Sequence, residues 1–239
     1  MISTTKANAI LKVLTGQETL TKPSSVWLGL SASQPAADGS GLAEPATGNY
    51  ERVEVGGSSA VNAFSVPAEG IVSNTKEIKF NTARQAYGNK MMYWFLSESK
   101  TGSAILWGIV KDVLKEKSTL SGFTVDGEGY SYTETLDSES LLKLKEGEKY
   151  IIYWDGKEYE YVAQTQDSYL VLGDEKDGLG LMYTETSTGT QTTGTLKFIT
   201  SDAAGQHTVA IYGLGIDVKK ETVPTFYAGE LKASIDVEL

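Results

Sequence analysis

The alternation of side chains around Asp155-Gly156 constrains the fold of this chain more than any other feature. Aromatic and aliphatic residues alternate from Tyr150 to Trp154, and Glu158 to Tyr161 alternate again after the dipeptide. Asp-Gly favours a type I′ turn because both central residues need positive φ, so this segment predicts a β-hairpin. The same period of two predicts further strands at 26–30, 50–55 and 231–237, and other strands are predicted at 169–172 and 207–212. The chain is therefore predicted to be mainly β.

One segment near the start has a helical pattern instead. From Thr4 to Gly16, apolar residues recur at helical spacing, Thr4 or Thr5 can cap the first turn, and Gly16 can end the helix. We interpret this stripe as packing against a core rather than as a partner site, because most amphipathic helices bury their apolar face. The stripe consists of Ala7, Ile10, Leu11 and Leu14.

The residue composition divides the chain into outer and middle parts. The middle part is richer in Tyr, Glu, Lys and Gly. From Val223 onward, the residue composition resembles that of the first part again. We predict an outer β domain, residues 1–113 plus 221–239, interrupted by an inserted β domain, residues 114–220. Each is predicted to be a β-sandwich or jelly-roll-like fold, with one short N-terminal helix in the chain. The Thr-rich stretch 184–195 of the insert is interpreted as a mobile loop or an exposed edge.

Composition and charge exclude or disfavour several classes of protein. The chain has no cysteine, which excludes disulfides, thiolate metal sites and cysteine nucleophiles. Its formal net charge of -10 disfavours nucleic-acid and membrane-surface partners, because an acidic surface repels phosphate and anionic lipid. The longest apolar stretches, such as Ile105–Val110, have the length of a strand rather than of a membrane span. The start of the chain also lacks the pattern of a secretory signal.

The residue types that usually carry catalysis or metal binding form no recognisable constellation. His207 is the single histidine, and we interpret it as a residue at the start of a strand because it has no evident catalytic or ligand partner. The acidic turns Asp126–Gly129 and Asp174–Gly178 could in principle hold calcium but are interpreted as solvated turns. We therefore expect no enzymatic activity, no cofactor and no resident metal.

Aromatic residues concentrate in the predicted insert. Such side chains stack on sugar faces or anchor protein interfaces. The competing interpretation is that alternate positions of each strand fill the core of the domain. The alternation leaves both interpretations open. The candidate ligand or interface contacts are Tyr153, Trp154, Tyr159 and Tyr161.

Several motifs occur in a fixed order along the outer domain. They are Val26–Leu30 followed by Ser31–Pro35, then Asn49–Val53, then Thr82–Gly88 with Thr101–Gly108, and last Pro224–Leu231. In this order they resemble the tail-fibre-like virion structural proteins of bacteriophages. That family pattern usually runs straight from the strand that contains Trp107 and Gly108 to the last strand. The middle part of this chain departs from the pattern.

The insert has a resemblance of its own. The segments Leu144–Tyr150, Trp154–Tyr159 and Gly205–Tyr212 are similar to a β module found in phages of Gram-positive hosts. The module implies a virion setting and no particular chemistry.

Together the resemblances imply a virion structural protein, placed as a tail-fibre, baseplate or head-decoration component. The outer domain would attach to the particle, and the insert would project outward toward the host. The implied partners are other virion proteins and further copies of this chain, as in the trimers common among phage appendages. The implied location is the virion, assembled in the host cytoplasm and released by lysis. The alternative is a carbohydrate-binding module that recognises host-surface glycans; a hydrolase fits less well, because no catalytic constellation stands out.

Overall fold

The computed structural model describes residues 1–19, 21–57, 62–126, 129–136, 147–164, 170–172, 179–188, 191–201 and 205–234. The chain divides into two compact units. Met1–Val110 and Gly215–Leu239 form one, which we call the split unit, and Lys111–Leu214 form the other, which we call the inserted unit. No helix among the described residues is long and apolar enough to cross a membrane.

The boundaries between the units lie slightly earlier in the chain than the predicted domain boundaries. The inserted unit begins at Lys111 and ends at Leu214, and these two residues pair with each other in one antiparallel ladder. In the split unit, Gly215 N donates a hydrogen bond to Val110 O at 2.8 Å. Backbone pairing therefore defines where the chain passes from one unit to the other. The gradual change in residue composition indicated these boundaries only approximately.

Helix α1 spans Thr4–Leu14. The Ser3 side chain caps it by accepting a hydrogen bond from Lys6 N at 3.3 Å, so the cap lies just before the predicted Thr4. Gly16 follows the last turn with a φ of 74°, as expected of a helix stop. The structure describes every residue of α1, and none of them is buried. The interpretation of its apolar stripe as core packing is therefore wrong.

The prediction of a mainly β chain with one short N-terminal helix is confirmed. The described residues contain seventeen strands. In chain order they are β1 Ser25–Ser31, β2 Val53–Gly57, β3 Ile71–Ser73, β4 Ile78–Lys79, β5 Tyr93–Ser97, β6 Leu106–Ile109, β7 Lys111–Ser121, β8 Thr124–Asp126, β9 Gly129–Leu136, β10 Lys149–Trp154, β11 Lys157–Val162, β12 Leu170–Leu172, β13 Leu179–Thr188, β14 Gln191–Thr200, β15 Gln206–Leu214, β16 Thr225–Phe226 and β17 Lys232–Ser234.

The split unit is built on one antiparallel sheet with strand order β2-β1-β5-β6. Two short ribbons, β16-β4 and β17-β3, bring the last part of the chain back to the first. Gly29 of β1 lies directly beside Phe95 of β5. A Cβ atom at this position would be 2.2 Å from the Phe95 ring, so the close approach requires glycine. The main core combines residues of the sheet with residues of loops and ribbons, among them Leu28, Leu30, Val55, Phe80, Met91, Trp94, Phe226 and Leu231.

Asn74 joins the two chain segments of the split unit. Its side chain is only 2% exposed. The Nδ2 group donates to Lys76 O at 2.9 Å and to Tyr227 O at 2.7 Å. The Oδ1 atom accepts from Gly229 N at 3.1 Å and from Leu231 N at 2.9 Å. One buried amide thus holds the returning C-terminal segment against the turn that follows β3.

We expect Asn74→Ala to destabilise the split unit by about 3 kcal/mol, because it leaves several buried backbone groups without a partner. Urea unfolding followed by tryptophan fluorescence measures this, since the split unit contains Trp27, Trp94 and Trp107. Asn89→Ala is the matched control, because Asn89 is exposed. Equal midpoints for the two variants would show that Asn74 does not hold the segment.

The inserted unit consists of two antiparallel sheets with strand orders β11-β10-β15-β7 and β12-β13-β14-β9-β8. Residues of both sheets share one core, as Trp154 of β10 stacks on Phe198 of β14 with ring centroids 5.4 Å apart. Two antiparallel sheets over a common core form a β-sandwich. The jelly-roll form stays a prediction.

The predicted hairpin at Asp155-Gly156 is confirmed. Trp154 pairs with Lys157 across the turn, and the two central residues have φ values of 46° and 96°. Both values lie in the left-handed region that the Asp-Gly dipeptide tolerates. The turn sets the register of β10 and β11 and therefore decides which of their side chains face the core.

The interpretation of 184–195 as a mobile loop is wrong for its described residues. Thr184 pairs with Thr195 and Thr188 with Gln191, so these residues extend the β13-β14 ladder. Within the described chain, β12 pairs only with Leu179–Leu181 of β13, and β9 pairs with β14 from Gly194 onward, so the alternative of an exposed edge stays a prediction. Threonine is β-branched and favours strands. The stretch therefore forms paired strands although it contains few apolar residues.

Some predicted features lie outside the described residues. The strand predicted at 169–172 is observed as β12 from Leu170, and Tyr169 is outside. The final strand is observed as β17, and residues 235–237 are outside. The same holds for Leu144–Glu146, for Gly127 and Glu128 of the first acidic turn, and for the whole second acidic turn.

Candidate binding surface

Three of the four predicted contact residues face the core of the inserted unit. Tyr161 is fully buried, and Trp154 and Tyr159 are 6% and 8% exposed. Tyr159 pairs with Ile152 and Tyr161 with Tyr150, so these side chains share the inner face of their sheet. The competing interpretation, in which alternate aromatics fill the core, is therefore correct for Trp154, Tyr159 and Tyr161.

Tyr153 lies on the opposite, outer face of the same sheet. It pairs with Ala210 of β15, while its neighbour on that face, Ile151, pairs with Tyr212. Tyr153 and Tyr212 are therefore diagonal neighbours on adjacent strands, a distance that aromatic side chains can span. Both are half-buried. Of the four predicted contacts, only Tyr153 remains a candidate for a surface interaction.

Two lysines of β7 accompany the tyrosines. Lys117 Nζ donates to the Tyr153 hydroxyl at 3.0 Å and lies 4.5 Å from the centroid of its ring. Lys111 Nζ lies 5.3 Å from the Tyr212 ring centroid and 2.6 Å from Glu158 Oε1. We call Tyr153, Tyr212, Lys111, Lys117 and Glu158 the tyrosine–lysine face.

The charges of the tyrosine–lysine face affect its titration. The hydrogen bond to Tyr153 raises the pKa of Lys117. Burial, and to a smaller extent the negative charge of Glu158, raise the pKa of Tyr212, while Lys117 opposes this shift. At neutral pH, Tyr212 therefore presents a neutral phenol and Lys117 an ammonium group. Such a surface can stack on a sugar ring and donate hydrogen bonds to its oxygens.

Sequence reasoning missed Tyr212, Lys111 and Lys117. The strand predicted at 207–212 includes Tyr212, but the sequence did not reveal which strand lies beside β10. Lys111 and Lys117 lie on β7, an eleven-residue strand whose polar sequence gave no apolar alternation to detect. The ladder of β7 with β15 also shifts register twice between Val209 and Tyr212, so a period of two in the sequence does not identify its outer face.

His207 lies at the second position of β15, as expected for a residue at the start of a strand. It is buried, and its Nδ1 atom is 2.6 Å from Asp155 Oδ2. Asp155 Oδ1 also accepts from Thr208 N at 2.7 Å. The His207 ring stacks on Trp154 with centroids 4.6 Å apart and meets Phe123 edge-on at 4.9 Å. These contacts tie the Asp155-Gly156 turn to β15.

Metal ligands do not cluster in the part of the chain that the structure describes, where no group of three His, Asp or Glu residues could hold an ion.

Comparison with known families adds the decisive observation. The family model described as Podophage GP4 fiber I protein gp80 matches residues 1–122. The chain belongs to this family. It is a bacteriophage structural protein of the fibre type, which confirms the coarse part of the resemblance. No curated protein matches the chain.

The gp80 family match covers the first segment of the split unit and β7 of the inserted unit. The rest of the inserted unit and the returning segment from Gly215 lie beyond it. The similarity of the insert to modules in phages of Gram-positive hosts therefore stays a prediction.

Arg52 explains one of the motifs within the matched gp80 region. Its side chain is 4% exposed, and its Cζ atom lies 4.6 Å from the centroid of the Phe95 ring. Its Nε and Nη2 donate to the two carboxylate oxygens of Glu44 at 3.0 and 2.6 Å. Its Nη1 donates to Ser97 Oγ at 2.8 Å and to Gly102 O at 2.7 Å. Arg52 thus holds two loops against the end of β5.

Tyr50 extends this network. Its hydroxyl donates to Glu44 Oε2 at 2.9 Å and accepts from Leu30 N at 2.8 Å. Burial is the main cause that raises the pKa of Tyr50, so the phenol stays neutral. In the motif Asn49–Val53 of this gp80-family chain, the side chains of Tyr50 and Arg52 are therefore both engaged in structural hydrogen bonds.

The inner and outer faces of β10 and β11 predict different mutational effects. We expect Tyr161→Ala to destabilise the inserted unit by about 3 to 5 kcal/mol, because it removes a fully buried aromatic ring. Tyr153→Ala is the matched control and is expected to cost about 1 kcal/mol or less. Hydrogen exchange of peptides from 148–162 in increasing urea measures both. Similar losses in the two variants would contradict the assignment of the faces.

Proposed function

We propose that this gp80-family protein is a tail-fibre, baseplate or head-decoration component that attaches through the split unit and displays the inserted unit outward. The observation that carries the proposal is the family match, which covers all four strands of the split unit's main sheet. The two units also have separate hydrophobic cores, as expected when one fold carries another. Attachment and display can then change independently.

The proposed partners are other virion proteins and further copies of the chain. The formal net charge of -10 supports partners other than nucleic acid or anionic membrane. The protein would assemble into the particle in the host cytoplasm and leave the cell by lysis. We also propose that it is not an enzyme, since its one histidine is enclosed by Trp154 and Phe123 and bound to Asp155.

Purified particles test the structural role directly. We expect peptides of this chain in the virion at several copies per particle, and antibody against the inserted unit to label intact particles. Antibody labelling at the tail or at the head separates a fibre or baseplate component from a head decoration. Peptides absent from virions that retain their other structural proteins would exclude the proposal.

A second function, glycan recognition by the inserted unit, is favoured by the tyrosine–lysine face. Tyr153 and Tyr212 lie diagonally on one outer sheet face, where their rings and hydroxyls could contact a saccharide. Lys117 bonds to the Tyr153 hydroxyl and holds an ammonium group beside it. Structural attachment and glycan recognition are compatible, because the first is assigned to the split unit.

Binding of the full chain to an array of host wall glycans tests this function. We expect Tyr153→Ala with Tyr212→Ala to weaken binding at least about tenfold, since each lost aromatic contact is worth about 1 kcal/mol. Tyr227→Ala is the control, because Tyr227 is 62% exposed and belongs to the split unit. No binding by the wild type, or equal binding by the double variant, would reject glycan recognition by this face.

A further inference from the structure

Lys117 carries a positive charge that no carboxylate in the described part of the chain neutralises. Its Nζ atom donates to the Tyr153 hydroxyl at 3.0 Å and lies 4.5 Å from the centroid of the Tyr153 ring. The hydrogen bond to Tyr153 is the main cause that raises the pKa of Lys117, Tyr212 adds to it, and no described carboxylate contributes. The chain has 31 acidic and 21 basic residues, so an ammonium group held by a phenol instead of a carboxylate is a departure from its overall charge.

Two other lysines of the same sheet are neutralised within the chain. Lys111 Nζ is 2.6 Å from Glu158 Oε1, and Lys149 Nζ is 3.2 Å from Glu160 Oε2. Lys149 precedes Tyr153 on β10 by four residues, so it lies on the same outer face but about 13 Å further along the strand. The charge of Lys117 is therefore the one, among these three lysines, that remains available to a ligand.

The contact between Lys117 and Tyr153 leaves hydrogen-bond donors for that ligand. An ammonium group has three N–H donors, and Lys117 uses one of them on the Tyr153 oxygen. The Tyr153 oxygen accepts this bond, so its own O–H can donate in another direction. The contact also orders a long lysine side chain before any ligand arrives, which lowers the entropic cost of binding.

We propose that the tyrosine–lysine face selects saccharides that carry a negatively charged group, a carboxylate or a phosphate, and that Lys117 selects them. This ligand class rests on the proposed glycan recognition by the same face. The sugar ring stacks on Tyr153 and Tyr212, while its anionic group accepts hydrogen bonds from the Lys117 ammonium and the Tyr153 hydroxyl. Because charge-assisted hydrogen bonds are stronger than neutral ones, a neutral saccharide in the same position binds more weakly.

The net charge of the chain opposes a small acidic ligand only weakly. At physiological ionic strength, charges more than about 8 Å apart are largely screened. A bound saccharide therefore responds mainly to the tyrosine–lysine face, which contains two lysines and one glutamate. A nucleic acid or an anionic membrane, in contrast, extends over the acidic remainder of the surface. We expect the preference for acidic saccharides to weaken as salt is added, because Lys117 is exposed.

Binding of the full chain to saccharides that differ only in charge tests the proposal. The probes are galactose, galacturonate and galactose 6-phosphate, and glucose, glucuronate and glucose 6-phosphate, each immobilised at one density. We expect an acidic member of a series to bind at least about tenfold more tightly than the neutral member. The tighter of the two acidic members distinguishes a carboxylate from a phosphate.

Variants assign this preference to one residue. We expect Lys117→Gln to remove it and Lys117→Arg to keep most of it, since arginine retains the charge. Lys149→Gln is the matched control, because Lys149 is already paired and lies away from the tyrosines. Equal binding of neutral and acidic members, or an unchanged preference in Lys117→Gln, overturns the selection of acidic saccharides and leaves glycan recognition standing. A wild type that binds no saccharide in these series or on the array of wall glycans overturns both.

Glu158→Gln gives a second measurement, in which binding is expected to improve. The substitution removes the one negative charge of the face and releases Lys111 from its ion pair. We expect acidic saccharides to bind at least about threefold more tightly, a modest gain because exposed charge contacts are weak. Glu160→Gln is the matched control, since it releases Lys149 instead. Equal effects of the two variants overturn the assignment to this face, and a variant that fails to fold cannot produce the expected gain.

Discussion

The side chain of Asn74 is a central contact in the closure of the split unit. The returning segment contributes two short ladders, β16 with β4 and β17 with β3, together with a bridge from Ile216 to Met91. Asn74 adds two donated and two accepted hydrogen bonds from one buried amide. Phe226 then packs edge-on against Phe80 at 6.3 Å. Because each ladder is short, the buried hydrogen bonds of Asn74 add to the strands in fixing the register of the segment.

This closure also explains how the fold tolerates a large insertion. The inserted unit leaves and rejoins the split unit at neighbouring points, since Lys111 pairs with Leu214 and Val110 O accepts from Gly215 N. The entropic cost of closing a longer connection grows only slowly with its length. The inserted unit also has a separate hydrophobic core, whose burial offsets the entropic cost of ordering its own residues. A fibre-type fold can therefore carry an additional module without rebuilding its own sheet.

Each unit leaves some aromatic or apolar side chains in contact with solvent. On the tyrosine–lysine face, Tyr153 and Tyr212 are half-buried on a sheet whose other side faces the core. On α1, Leu11 and Leu14 are exposed, while Ala7 and Ile10 of the same stripe are half-buried. In both places apolar area stays in water.

Local signals in the sequence determined the strand period, the Asp155-Gly156 hairpin and the helix that ends before Gly16. These features depend on neighbouring residues, through turn conformation and side-chain periodicity, so no distant contact is needed to predict them. The tail-fibre-like motifs likewise indicated the family to which the first part of the chain belongs. The interpretation of the Thr-rich stretch as a mobile loop was wrong because strand pairing, rather than apolar content, makes it part of the β13-β14 ladder.

Tertiary structure alone decided which face of each element is covered. The period of two grouped Tyr159 with Tyr161 but could not tell that their face, rather than that of Tyr153, meets the second sheet. The stripe of α1 was correct as a pattern, yet Leu11 and Leu14 are exposed and only Ala7 and Ile10 are half-buried. Periodicity states which side chains share a face, whereas burial depends on what packs against that face. In the inserted unit, the covering layer comes from strands that are distant in sequence.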